Sequence, residues 1–187
     1  MFIVSSRRSL NPSVPAFVAI HVNFHVVEPC GDLARMGVIP AAFAAVSDLQ
    51  YEGRLLSAPV TSLRHLDGVS PDVIAVPVEH RDNTTSSPEE AAAVVALVRE
   101  LIGRAWTPAR DDQAGVPRPL EPSDIIIVAA FNTQVRLFRR ELNEAGFGSN
   151  QVGTVDKFQG REEVVVLVSM ATSSAEDLPR GIDFLLS

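Results

Sequence analysis

The chain has 187 residues, the size of one domain or one domain with an appendage, and its 46% apolar content is ample for a single core. A net charge of −7 and a pI near 5.1 exclude a protein that holds nucleic acid by bulk positive charge, because counterion release needs clustered Lys and Arg; any such contact has to be local. The lone cysteine, Cys30, excludes a disulfide framework and a cysteine-rich zinc site, as expected in a reducing cytoplasm, and no run is long and apolar enough to span a bilayer.

Residues 1–36 carry short apolar pieces broken by prolines, with neither a helical nor an alternating period, and form a poorly defined N-terminal segment. Ser6-Arg7-Arg8-Ser9-Leu10 has the look of a twin-arginine export signal, but Asn11, Pro12, Pro15, His21 and Asn23 interrupt the apolar core that such a signal needs. His21 and His25 stand four apart, as metal ligands on a helix would. Without the Glu of a zinc-protease motif they read as ordinary histidines, and no metal site is expected. Phe43, Val46 and Leu49 recur at helical spacing before a turn at Gly53, and Asp72 to Val78 alternates weakly as a strand.

Ser87-Pro88-Glu89-Glu90 predicts a helix start: Ser87 caps, Pro88 suits the first helical position and Glu90 completes a capping box. Val94, Leu97, Val98 and Leu101 then form one apolar stripe that ends near Gly103. Four prolines between residues 106 and 123 predict an exposed loop. Ile125-Ile126-Ile127-Val128 is apolar on both faces, as a central strand of a parallel sheet must be when helices cover both sides. Asn132 or Thr133 can cap the next helix, in which Val135, Phe138 and Leu142 face inward, closing at Gly146. Gln151 to Val155 and Val164 to Val168 supply two further strands. Strands alternating with helices imply a doubly wound sheet, in which ligands sit beyond the carboxyl ends of the strands. The polar loops 129–134 and 154–162 fall there.

The second loop reads Thr154-Val155-Asp156-Lys157-Phe158-Gln159-Gly160-Arg161-Glu162. It resembles motif V of superfamily 1 helicases, in the family that includes the nonsense-decay helicases and the nuclease-linked replication helicases. Ile126 to Leu137 is similar to that family's strand ending in Ala/Pro-Tyr/Phe-Asn-x-Gln. Ser169 to Ser174 is similar to the strand end after motif V, and Ser47 to Leu55 to the segment after motif IV. The likeness implies a three-layer α/β RecA-like (P-loop NTPase-like) domain with a mainly parallel sheet over residues 37–187, the C-terminal motor half of an ATP-dependent helicase acting in DNA repair or replication. Such motors cleave ATP with Mg2+ between two RecA-like domains, the Mg2+ being held by the first.

By this resemblance Gln159, Gly160 and Glu162 shape the nucleotide side of the cleft, with Glu162 accepting from the ribose. Thr154 and Asp156 contact the backbone of single-stranded DNA or RNA, as Asn132 and Gln134 do from the neighbouring loop. Capping alone would also explain Asn132 and Thr133, and Arg136, Arg139 and Arg140 read as a solvated helix face. Arg35 is the candidate catalytic contact to the γ-phosphate, although the family arginine aligns near Gly37, so that Arg35 fits only with a two-residue insertion.

Two departures shape the expectation further. No G-x-x-x-x-G-K-S/T string occurs, and Ser187 falls where the family continues into motif VI with its arginine finger. The chain by itself is therefore expected not to hydrolyse ATP. Its expected partners are a first RecA-like domain and a single strand, with no membrane. The alternatives are a non-catalytic helicase remnant that binds a strand or a protein, and an unrelated doubly wound nucleotide-binding protein.

Overall fold

A computed structural model describes residues 17–22, 35–36, 56–57, 59–70, 73–110, 113–158, 161 and 163–173. Its main sheet contains β1 (Phe17–Val22), β2 (Val73–Pro77), β3 (Ile125–Ala129), β4 (Gln151–Gly153) and β5 (Val165–Ser169), in the spatial order β4-β3-β5-β1-β2. β3 pairs in parallel with β4 and β5, setting Ile127 beside Val152 on one side and Leu167 on the other. β1 runs antiparallel to β5 and to β2, so the other four strands share one direction. The chain thus adopts the expected α/β fold with a mainly parallel, RecA-like sheet. The segment that offered no period in the sequence contributes its single reversed strand.

Every residue of β3 is buried, because both faces of the sheet are covered. On one face Ile125, Ile127 and Ala129 meet Val94, Val98 and Leu101 of α1 (Pro88–Leu101) and Val135, Phe138 and Leu142 of α2 (Asn132–Glu144). On the other, Ile126 and Val128 meet Phe158 of α3 (Val155–Phe158), with Val166 and Val168 alongside. Each large side chain buried this way contributes roughly 1.5–3 kcal/mol. α2 stops where Gly146 takes φ +85°, a left-handed turn in which Phe147 N donates to Leu142 O.

Residues 106–123 differ from the expected bare loop. Ala105–Thr107 pairs with His65–Leu66 and with Arg118–Pro119, and Ala109–Arg110 doubles back on Gln113–Ala114. Trp106 and Leu120 join the core, which returns the chain to the body, while residues 113–119 remain exposed. β4 also ends earlier than expected, at Gly153, and Val155–Phe158 winds into a single helical turn. Arg35–Met36 pairs in parallel with Leu56–Ser57; the expected helix at residues 40–50 and the turn at Gly53 lie outside the described residues. Among the described residues no helix is long and apolar enough to cross a membrane.

Candidate functional site

Because β3, β4 and β5 are parallel, their carboxyl ends open on one edge of the sheet, and the two polar loops lie there. α2 begins at once after β3. Its N-cap is Phe131, which makes no side-chain cap bond, so neither Asn132 nor Thr133 caps the helix. Asn132 is the first helical residue and is exposed. The Thr133 hydroxyl donates instead to Thr85 O at 2.7 Å, tying α2 to the segment that leads into α1.

Gln134 is completely buried. Its Oε1 accepts from Ser87 N at 2.8 Å, while its Nε2 donates to Ser87 O and to Ser169 Oγ, both at 3.2 Å. The carboxamide thus acts as an extra peptide group between the start of α1 and the end of β5, and an unpaired buried amide would cost several kcal/mol. A side chain with no exposed surface and all this bonding positions its neighbours; in this conformation it does not face a strand.

Glu90 is the centre of the same junction. Ser87 caps α1 as expected, its Oγ accepting from Glu90 N at 3.1 Å, but the predicted capping box is only half formed. Ser87 N is taken by Gln134, and the Glu90 carboxylate turns inward, fully buried. It receives the Ser169 hydroxyl, Ala171 N at 3.2 Å and His80 Nε2 at 2.9 Å. His80 Nδ1 is hydrogen-bonded to the Ser173 hydroxyl at 2.7 Å, and the Ser173 oxygen accepts from Asn83 N at 2.9 Å. The glutamate, histidine and serine are arranged like a nucleophilic triad, yet the His80 and Glu90 side chains have 0% exposure, so no substrate reaches them. They hold a turn: Ala171 sits at φ +66°, a left-handed conformation costing about 1 kcal/mol for a residue with a Cβ. Thr172 Oγ1 adds a bond to Thr84 O at 2.7 Å. Beside it the exposed Glu89 carboxyl is held below its usual range by a backbone N–H at the helix start and by the Asn83 amide.

The turn after β4 is built differently. A Cβ at Gly153 would lie 2.5 Å from Lys157 Cδ and 3.0 Å from the Phe158 ring, so glycine lets α3 fold back onto the strand without crowding either side chain. Phe158 enters the core while Asp156 and Lys157 stay exposed, and Thr154 is half-buried at the mouth, its carbonyl accepting from Lys157 N. The turn is anchored at its base by Gln151, whose amide donates to Glu163 Oε1 at 2.8 Å and accepts from Arg161 Nη1 at 2.6 Å. Burial pushes the Glu163 carboxyl above its ordinary value, against the Gln151 hydrogen bond.

Of the residues singled out in the sequence, Asn132, Thr154 and Asp156 stand at the open edge and Gln134 lies beneath it. Gln159, Gly160 and Glu162 lie outside the described residues; Arg35 is described only as part of its two-residue strand. Sequence reasoning missed His80, Glu90, Ser169 and Ser173. The signal was present in Glu90, which falls four residues before Val94 and eight before Val98, a charge set on the buried stripe of α1. The capping-box pattern explained it too readily.

A superfamily 1 helicase domain is the class that this sheet and these strand-end loops define. The chain belongs to the AAA domain family of such helicases, whose model matches residues 43–186. It is 30% identical over 105 residues, 56% of its length, to the mouse DNA replication ATP-dependent helicase/nuclease DNA2, of which it covers 9%. It is 42% identical over 55 residues, 29% of its length, to the Schizosaccharomyces pombe DNA polymerase alpha-associated DNA helicase A, of which it covers 8%. The human 3'-5' exoribonuclease HELZ2 is 26% identical over 112 residues, 60% of this chain and 3% of that protein. The chain therefore spans less than a tenth of each of these relatives.

Proposed function

We propose that this chain is the second RecA-like half of an ATP-dependent superfamily 1 motor, and that it grips single-stranded nucleic acid at the carboxyl edge of its sheet. The reading is supported chiefly by one observation: the motif V-like turn opens at Thr154 on the edge where β3 and β5 also end. Thr154 and the exposed Asn132 are the backbone contacts, since hydroxyl and carboxamide groups bond phosphate and sugar without reading sequence. Asp156, exposed on the same turn, flanks Thr154 at that contact. Gln134 acts beneath them as a positioning group.

ATP with Mg2+ would supply the energy. Gln159, Gly160 and Glu162 would line the nucleotide from this side, and Arg35 would approach the γ-phosphate. The triphosphate and the metal would be held by a first RecA-like domain, because this sequence contains no phosphate-cradling G-x-x-x-x-G-K-S/T loop. Motion would follow from the two halves closing on ATP and reopening on its hydrolysis.

The test is reconstitution. This chain is combined with a related helicase's first domain and motif VI region, and ATP hydrolysis is measured with and without single strand. Strand-stimulated turnover is expected; its absence with both parts folded favours a non-catalytic remnant. That second reading draws on the motif IV position, where Ala34-Arg35-Met36-Gly37 departs from the family string.

A further inference from the structure

β4 is an edge strand, pairing only with β3 among the described residues, and its outward Val152 carbonyl is met by two cations. Arg139 Nη2 lies 3.0 Å from that oxygen and Lys157 Nζ lies 3.1 Å from it. They arrive from opposite sides of the sheet: Arg139 belongs to α2, which packs over Ile127, and Lys157 to α3, whose Phe158 packs under Ile126 and Val128. Neither makes an ion pair among the described residues. Two like charges held on one oxygen repel each other, and an anion added between them removes that penalty.

The arrangement is specified. Lys157 is fixed by the Val152 carbonyl, by the Phe158 ring 5.3 Å away and by the slot that Gly153 leaves for its stem. The guanidinium has five donors and the ammonium three, and each uses one here. Arg161 adds a third cation along the strand, at Gln151. The exposed carboxylate of Asp156 is the nearest acid on the turn in sequence, and Asn150 Oδ1, buried without a partner, is an acceptor on the same side of β4 as Arg139.

We propose that Arg139 and Lys157 form an anion site at the sheet edge that takes a backbone phosphate of the bound single strand, centred on the Val152 carbonyl two residues before Thr154. The choice of occupant rests on the function proposed above; the anion site itself does not. Inorganic phosphate, titrated into the full chain at constant ionic strength, should shift the backbone amide resonances of Val152, Gly153 and Lys157 in a saturable way. Arg139→Gln and Lys157→Gln should each abolish the shift. Gly153→Ala, which keeps both charges but crowds Lys157, should weaken it, and Arg136→Gln on the exposed face of α2 should leave it unchanged. Shifts that are absent, or unaltered by Lys157→Gln, would reduce the pair to a cap on an edge strand and overturn the site.

Strand binding to the reconstituted two-half motor separates the two ideas. Each Gln substitution should reduce the magnitude of the slope of log affinity against log salt by up to roughly 0.7, the single-strand value for one phosphate contact. A motor that binds the strand with an unchanged slope overturns the phosphate as occupant while leaving the helicase reading intact. Phosphate shifts in a chain whose motor binds no strand would keep the anion site and remove the helicase reading.

Discussion

Glu90 and Lys157 are both charged side chains that bond to groups at the margins of the main sheet, and their surroundings give them opposite work. Glu90 is fully buried and satisfied by His80, Ser169 and Ala171, so its charge is spent holding protein groups together. Lys157 is exposed and shares one carbonyl with Arg139, leaving donors to spare. The contrast separates a scaffold from a contact: where donors and acceptors balance out of water the network fixes geometry, and where donors are left over at the surface the site is open to a ligand.

The comparison breaks most readily at Glu90. Glu90→Ala leaves the His80, Ser169 and Ala171 donors without their acceptor and should cost about 3 kcal/mol or more, read from the urea unfolding midpoint. A loss no greater than that of a surface substitution would mean that the junction is not what holds the strand ends together. Gly153→Ala comes next, at roughly 1–2 kcal/mol by the same measurement, because the new methyl meets Lys157 and the Phe158 ring. Ser87→Ala removes the α1 cap and should cost about 1 kcal/mol, visible as faster amide exchange in the first turn of that helix.

The smallest effect is one of pH, and it lies away from both regions. Burial alone would raise the Asp124 carboxyl, but the Arg118 fork at 2.6 Å and Glu121 N at 2.8 Å outweigh it and hold the group below its usual range. A carboxylate whose folded pKa is depressed contributes fully above its unfolded value, about 3.9, and loses that contribution as pH falls through the folded value. The thermal midpoint of the wild-type chain should therefore drop more steeply below about pH 4 than that of Asp124→Asn. Parallel curves would show that this pair is not coupled to folding.

Much of the fold was legible because it rests on local pattern. Ile125 to Val128 read as a doubly covered strand, Ser87-Pro88 as a helix start and Gly146 as a helix stop, and each is so in the structure. Phe17–Val22 was illegible because its partners, β5 and β2, are remote in sequence and no period marks a reversed strand. At the site, the motif V-like string disclosed the turn at Thr154. The junction behind it did not show, because His80, Glu90, Ser169 and Ser173 are joined by tertiary contacts spanning up to 93 residues. Gln134 looked like a ligand contact for the same reason: a polar side chain after a strand looks alike in sequence whether it faces solvent or a buried serine.

The most direct measurement is photo-crosslinking of an iodouracil-substituted single strand to the reconstituted two-half motor, with the crosslinked peptides mapped by mass spectrometry. The account predicts adducts within residues 154–158 and at Asn132, and none at Glu90, His80 or Gln134. A strand that crosslinks elsewhere on the domain and spares the turn at Thr154 would contradict it.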